Sequence, residues 1–225
     1  MLPLWYAVFL LSLTCHEAAH AWAAQRGGDD TAYIGGQVTL NPVPHMLREP
    51  FGTVVIPLAS FLFAGWMMGW ASAPYDPLWE ERYPRRAALM AAAGPAANLL
   101  LAALGFAVLK QGLSAGVWVP PDLDLMRLDL LVVTAGGEGG ALEAAGRLAS
   151  ILLTLNLLLF IFNLLPLPPM DGAAVAAGLS AGARRLRDRF LELPMAGMLG
   201  LVIALFLFKI IFWPLYFPVV RMLWR

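Results

Sequence analysis

The sequence predicts an all-α polytopic membrane protein with about five transmembrane helices and one small β-hairpin. Of its 225 residues, 60% are hydrophobic and only 13% are charged, whereas soluble domains carry about 25% charged residues. Several apolar stretches reach the roughly 20 residues that a helix needs to cross the hydrocarbon core. The composition therefore argues against a water-soluble protein, and we expect a single membrane domain over residues 1–225.

The apolar stretches define the expected spans. The first stretch resembles a signal peptide in length, but it lacks basic residues at its start and carries His16, Glu17 and His20 where a cleavage site would lie. We therefore expect it to persist as a helix. The last stretch is interrupted by two prolines. The expected spans are approximately 2–24, 52–73, 87–109, 148–167 and 194–220.

Three connections between the spans have patterns of their own. Tyr33 to Leu40 places β-prone residues on both sides of two glycines, which is typical of a small hairpin at the membrane surface. Residues 111–147 form the longest connection, and their charged middle part predicts an element that lies on the surface. Residues 183–193 combine arginines with apolar residues, which favours either a basic amphipathic helix on an anionic leaflet or a solvated loop.

The charge balance and the single cysteine restrict partners and cofactors. Fifteen Lys and Arg are offset by fifteen Asp and Glu, so no basic surface indicates nucleic acid as a partner. Cys15 has no second cysteine with which to form a disulfide or a thiolate metal site. Any bound metal must therefore be held by histidines and carboxylates.

A metal-binding motif lies within the first span. His16, Glu17 and His20 form an HExxH pattern, and the spacing puts both imidazoles on one face of a helix. Glu17 is turned by about 100° from His16, so it can approach a metal-bound water without being a ligand. Two imidazoles and a carboxylate suit Zn²⁺. The competing interpretation is that these side chains only bond to neighbouring helices, but ionisable groups within a span indicate function.

A catalytic zinc usually takes three protein ligands, so a third ligand is expected elsewhere in the chain. His45 and Asp171 are the candidates. Asp171 follows a proline-rich stretch that ends the fourth span, and irregular backbone at membrane depth is tolerated only where it is buried in protein or lines a wet cavity. An aspartate there needs a partner, which a cation provides. The alternative is an aspartate that caps a helix at the interface.

Three motifs together resemble the site-2 protease family of intramembrane zinc metalloproteases, in its compact bacterial form. They are His16–His20, Gly94–Asn98 in the third span, and Asn163–Gly172. The HExxH pattern alone is moderately specific, whereas the three motifs in order within membrane spans are strongly specific. The C-terminal quarter of the chain carries no matching motif.

The resemblance implies a division of roles among these residues. His16, His20 and Asp171 would bind one zinc ion per chain, and Glu17 would be the general base. The zinc would polarise the scissile carbonyl while Glu17 takes a proton from the attacking water and passes it to the leaving amine. We also expect the edge of the hairpin near the active site to receive the unwound substrate as an added strand.

Three more residues are expected to bind substrate or the oxyanion. Asn98 and Asn163 resemble the intramembrane asparagines of the family, but they equally fit hydrogen bonds between helices, which are worth about 0.6 kcal/mol. His45 lies in a stretch similar to one in compact bacterial members, with Glu49 in place of the usual aspartate. His45 is therefore expected to line the site, and the alternative is a solvated loop histidine.

The function expected from these residues is zinc-dependent endopeptidase activity in or near the transmembrane segments of membrane proteins. The expected partners are a membrane-protein substrate and the lipid bilayer, with no nucleic acid, and the expected location is the bacterial cell membrane. One alternative is a transporter or ion pathway built on the same intramembrane cluster. Another is an inactive relative that binds membrane proteins without cleaving them.

Overall fold

The predicted fold class is confirmed: the chain is a helical membrane protein with one small antiparallel sheet. We describe a computed structural model that covers residues 1–137 and 139–225. A π-helix occupies Phe51–Val55, and a 3₁₀ helix occupies Leu123–Leu125. The other elements are α1 (Leu2–Gly27), α2 (Thr31–Ile34), α3 (Pro42–Arg48), α4 (Ile56–Ala64), α5 (Pro77–Arg82), α6 (Pro84–Ser114), β1 (Trp118–Val119), β2 (Val133–Thr134), α7 (Ala141–Asn163), α8 (Asp171–Leu179), α9 (Ala181–Leu191) and α10 (Ala196–Trp224).

Four helices are long and apolar enough to cross a membrane, namely α1, α6, α7 and α10. Each of them overlaps one of the expected spans. The helix α6 runs further at both ends than the expected 87–109, because its flanking turns continue the helical backbone from Pro84 to Ser114. The prolines inside α6 and α10 do not end these helices, since neighbouring groups in a bundle can satisfy the backbone carbonyls that a proline frees.

The continuous helix expected over 52–73 is not observed. The helix α4 ends at Ala64, where Gly65 takes the left-handed backbone with φ of 76°. The chain then doubles back, so that the N–H of Trp70 donates to the carbonyl of Gly52 at 3.1 Å. A Cβ at Gly69 would overlap that carbonyl, so glycine permits this close return. With α3, the segment forms a pair bent by 112°, which is a broken span or a re-entrant loop.

The hairpin expected at 33–40 is also absent, and α2 lies at its start. The Asp29 carboxylate accepts hydrogen bonds from both the N–H and the hydroxyl of Thr31. These local bonds favour a helical turn over a strand, and the N–H of Gly35 closes the turn on the carbonyl of Thr31 at 3.1 Å. The antiparallel sheet instead pairs β1 with β2, within the 111–147 connection.

The helix α6 is central, because it packs against α1, α7 and α8. Close contact with α7 depends on Gly105, where a Cβ would lie 2.8 Å from the backbone nitrogen of Leu153. Small residues at such positions allow membrane helices to approach closely. An apolar cluster joins α6, α7 and α10 around Leu109, Leu153 and Tyr216, all fully buried.

The arginine-rich stretch forms a helix, α9, rather than a loop. The guanidinium of Arg187 pairs with the carboxylate of Glu80 in α5, while Leu186 is 71% exposed. The helix therefore keeps the apolar and basic surfaces expected of an amphipathic element.

The C-terminal end of α1 is fixed to the chain that enters α6. The carbonyl of Gly27 accepts hydrogen bonds from the Trp79 indole and the Arg86 guanidinium, each at 3.0 Å. Gly28 then turns the chain out of the helix with φ of 93°. Because α1 and α6 are joined here, their facing residues deeper in the bundle are held in register.

Candidate metal centre

The two histidines of the HExxH motif lie on one buried face of α1. His16 is 6% exposed and His20 is 7% exposed. Their Nε2 atoms are 3.0 Å apart, and the rings meet edge to face. The helical spacing therefore aims both nitrogens at one point.

Asp171 is brought to the same point by the turn that follows α7. Its Oδ2 lies 3.1 Å from Nε2 of His16, and its Oδ1 lies 3.4 Å from Nε2 of His20. The turn is tight, since a Cβ at Gly172 would overlap the carbonyl of Leu164. Asp171 is the first residue of α8, so the proline-rich stretch delivers its carboxylate to the histidines of the first span.

This donor set fits a zinc ion. Zinc bonds of about 2.0–2.2 Å in tetrahedral geometry separate the ligand atoms by about 3.3–3.6 Å, and the distances here are 3.0–3.4 Å. Asp171 Oδ2 is buried and has no hydrogen-bond partner in the ranges that the structure describes. A divalent cation placed between these three groups would satisfy all three electron-pair donors at once.

Both imidazoles are oriented by α6 through their second ring nitrogen. Nδ1 of His16 lies 2.6 Å from Oδ1 of Asn98, and Nδ1 of His20 lies 2.8 Å from the carbonyl oxygen of Met90. Such bonds place the proton on Nδ1 and leave Nε2 free to bind metal. The side chain of Asn98 is thus engaged with His16 within the protein, which favours a role in positioning rather than in contacting substrate.

Gly94 lies directly against the two histidines. A Cβ at this position would be 2.6 Å from Nε2 of His16 and would also overlap Nε2 of His20. Glycine therefore keeps the space that a metal ion needs. The sequence marked Gly94 as part of a motif, but its role depends on contact between α1 and α6, which spacing along the chain does not reveal.

Glu17 is 4% exposed. Its carboxylate makes no hydrogen bond or salt bridge to any residue within 1–137 or 139–225, and it lies close enough to His20 for an electrostatic interaction.

Asn163 and His45 do not hydrogen-bond to the cluster of His16, His20 and Asp171. The amide of Asn163 donates to the carbonyl of Leu159 on its own helix at 3.0 Å. His45 is 2% exposed, so it is not a solvated loop residue. Its Nε2 donates to the carbonyl of Thr39 at 3.1 Å, and its Nδ1 has no partner in the part of the chain that the structure describes. Of the two candidate third ligands, the structure places Asp171 beside the histidines.

The small sheet lies far from these residues, contrary to the expected position of a hairpin near the active site. Trp118 of β1 packs on Gly112, whereas the histidines contact Gly94. The two glycines are separated by about 27 Å along α6, at 1.5 Å per residue.

Two buried polar residues near the cluster, Ser12 and Asn156, were not predicted. The amide nitrogen of Asn98 donates to Oδ1 of Asn156 at 2.8 Å, and the amide nitrogen of Asn156 donates to Oγ of Ser12 at 2.8 Å. Asn156 lies in a leucine-rich stretch. An amide side chain in such a stretch is the signal that the sequence offers.

Comparisons with known proteins agree with this geometry. The model of peptidase family M50 matches residues 5–207, a range that contains all three candidate ligands. A Bacillus subtilis protein named "Putative zinc metalloprotease YwhC" is 32% identical over 221 residues, which cover 96% of this chain and 86% of that protein.

A Mycolicibacterium smegmatis protein named "Putative zinc metalloprotease Rip2" is 30% identical over 177 residues, which cover 74% of this chain and 53% of that protein. Its counterpart of the same name in Mycobacterium tuberculosis is 30% identical over 171 residues. No solved structure matches the chain. By its family model and its similarity to YwhC over nearly the whole length, the chain belongs to peptidase family M50, the family of the site-2 proteases.

Proposed function

We propose that this protein is a zinc-dependent endopeptidase that hydrolyses peptide bonds in or near the transmembrane segments of membrane proteins. The observation that carries the proposal is the meeting of His16, His20 and Asp171, with their donor atoms within 4.8 Å of one another, against helices long enough to span a membrane. Membership of family M50 and the names of the relatives support the same chemistry.

The residues that would hold the metal are His16, His20 and Asp171, one ion to each chain. When bound, zinc polarises a carbonyl and lowers the pKa of a coordinated water to about 7. Together with Glu17, Asp171 supplies two negative charges that match a divalent cation. This balance limits the cost of burying charged groups among apolar helices.

Glu17 is the proposed general base. It follows His16 directly in α1, so it faces the neighbourhood of the ligand atoms without being aimed at the same point. Its carboxylate would accept a proton from the attacking water and return it to the leaving nitrogen. Because the described protein offers it no competing hydrogen bond, the oxygen atoms remain available for this transfer.

Substrate is proposed to bind beside α1. An open crevice of about 370 Å³ lies there. Its walls are residues 38–40 and one face of α1, which includes Ala18 and Trp22. His45 supports this wall through its bond to Thr39, so its contribution to the site is to hold the 38–40 segment. Asn163, at the end of α7, remains a proposed substrate contact. The proposed location is the bacterial cell membrane.

The test is a cleavage assay on single-span membrane proteins in liposomes, with Glu17→Gln and Asp171→Asn variants. Loss of the proton acceptor should abolish cleavage in Glu17→Gln while zinc content is retained. Loss of a ligand should reduce both cleavage and zinc content in Asp171→Asn. The exposed Glu192, changed to Gln, is the matched control and should cleave normally.

Full cleavage by Glu17→Gln with zinc still bound would refute the role of this residue. Metal or proton flux in the same liposomes, with no peptide hydrolysis by the unmodified protein, would refute the endopeptidase proposal and favour an ion pathway.

A further inference from the structure

A chain of buried polar side chains leads from His16 into the bundle. Ser12 of α1, Asn98 of α6 and Asn156 of α7 are each 0% exposed. Asn156 donates to Ser12 at 2.8 Å, and Asn98 donates to Asn156 at 2.8 Å. The oxygen of Asn98 in turn lies 2.6 Å from Nδ1 of His16. Three helices thus contribute one group each to a path that ends on a proposed ligand.

The far end of this chain has a fixed direction. The hydroxyl of Ser12 donates its proton to the carbonyl of Val8 at 2.7 Å, so its oxygen can only accept from Asn156. The same amide nitrogen of Asn156 also donates to the carbonyl of Leu152 at 2.9 Å. The carbonyls of Val8 and Leu152 can only accept hydrogen bonds. Together they require that the nitrogen of Asn156, and not its oxygen, faces Ser12 and Leu152.

The near end then follows by elimination. With its nitrogen bound to Ser12, Asn156 presents its oxygen to Asn98. Asn98 must therefore donate to this oxygen through its own amide nitrogen. That nitrogen also lies 3.4 Å from the carbonyl of Ser12. Asn98 therefore presents its oxygen to Nδ1 of His16, and only the tautomer with a proton on Nδ1 can complete the bond.

The two histidines reach the same tautomer by different means. His20 faces a backbone carbonyl, that of Met90, and a carbonyl cannot exchange donor for acceptor. His16 faces a side-chain amide, which can rotate and present either its oxygen or its nitrogen. The orientation of Asn98 must therefore be fixed by something other than His16, and the bonds to Asn156 and Ser12 are in place to fix it.

We infer that Ser12 and Asn156 are positioning residues that act through Asn98 to hold His16 in the tautomer whose Nε2 binds metal. The inference rests on the proposed function, in which His16 is a zinc ligand. It adds to that function the reason why a polar pair on α1 and α7 is buried beside, but not in contact with, the ligand atoms.

The test measures metal affinity rather than cleavage, with Co²⁺ as the probe and a competing chelator in detergent. Asn156→Leu keeps the approximate volume but removes the amide. Partners of metal ligands typically contribute a factor of about 10–100 in metal affinity, and we expect a loss in that range. The absorption spectrum of the remaining Co²⁺ complex should change as well, because the orientation of His16 is no longer fixed.

Thr154→Val is the matched control. Thr154 is a buried polar residue of the same helix, and its hydroxyl bonds to Tyr216 of α10 instead of leading to His16. We expect this variant to bind Co²⁺ with the affinity of the unmodified protein. Unchanged affinity in Asn156→Leu, or an equal loss in both variants, would overturn the inference.

A rescue separates orientation from packing. Asn98→Asp presents an oxygen to His16 in either orientation, so it needs no partner to fix it. Added to Asn156→Leu, it should restore most of the lost Co²⁺ affinity, and no restoration would contradict the inference. If Asn156→Leu does not fold, Ser12→Ala replaces it, with a smaller loss expected and the same rescue.

His16→Ala distinguishes this inference from the proposed function. Co²⁺ binding that is unaffected by His16→Ala would refute the proposed metal centre itself. Co²⁺ binding that is lost in His16→Ala but unaffected by Asn156→Leu would leave the proposed function in place and refute only the positioning role.

Discussion

Gly94 shows how much of the candidate metal centre depends on a single absent side chain. Gly94→Ala should reduce zinc content, because the added Cβ would occupy the space in front of Nε2 of His16 and His20. The same change should not weaken α6, since alanine is favoured over glycine in helices by about 1 kcal/mol. Zinc content by elemental analysis and the melting temperature in detergent would together separate the two effects.

Gly197→Ala is the control for that change, because the space around Gly197 in α10 is open. It should leave zinc content unchanged. Full zinc content in Gly94→Ala would show that the ligand cluster is arranged differently from the structure described here.

At the residue scale, the sequence predicted what depends on local spacing. The four-residue interval of the HExxH pattern places two imidazoles on one helical face, whatever surrounds them. Asp171 was predicted as a ligand because proline-rich, irregular backbone at membrane depth is tolerated only where it is buried in protein or lines a wet cavity, and an aspartate there needs a partner. Asn156 was not predicted, since its partners Ser12 and Asn98 lie on other helices and distances between helices are not encoded in a spacing.

At the element scale, the contact between α6 and α7 holds Asn98 and Asn156 together. Gly105→Leu should lower the melting temperature, because the neighbours of the new Cβ are the backbone atoms of Leu153 and Ala149, which cannot move aside. Overpacking of this kind typically costs about 1–3 kcal/mol. Unfolding followed by tryptophan fluorescence in detergent measures the effect, and Gly197→Leu is the control at an open position.

A melting temperature for Gly105→Leu equal to that of Gly197→Leu would contradict the close packing of the two helices.

Element boundaries were also where prediction from the sequence failed. Tyr33 to Leu40 has the composition of a hairpin, but the side chain of Asp29 bonds to the next turn and starts α2 instead. The second apolar stretch does not form one continuous helix, since Gly65 ends α4 and the chain then returns along it, so the stretch is a broken span or a re-entrant loop.

At the scale of the whole molecule, the register of α1 against α6 decides whether the histidines meet Asn98 and Met90. That register is set at the last residue of α1, where the carbonyl of Gly27 accepts hydrogen bonds from Trp79 of α5 and from Arg86 in the first turn of α6. We call this set of bonds between Gly27, Trp79 and Arg86 the joint. Asp29 belongs to it as well, because its carboxylate accepts the N–H of Asp76 at 2.9 Å. The overall class was predictable from composition, whereas the joint required the folded chain.

The joint predicts a dependence of stability on pH. Burial alone would raise the pKa of Asp29, but hydrogen bonds from the Thr31 hydroxyl, the Asp76 N–H and the Thr31 N–H outweigh it and hold the pKa below its ordinary value. A carboxyl whose pKa is lower in the folded state stabilises the fold above its unfolded pKa of about 3.9. That stabilisation is lost as the pH falls through the lower, folded value.

Asp29→Asn should therefore melt at a lower temperature than the unmodified protein near neutral pH, and the difference should shrink as the pH is lowered below about 4. Asp30→Asn is the matched control, since Asp30 is exposed and its side chain makes no cap bond to α2. Its melting temperature should follow that of the unmodified protein throughout. If the difference in melting temperature between Asp29→Asn and the unmodified protein stays constant with pH, the lost stability does not come from the charge of the Asp29 carboxylate.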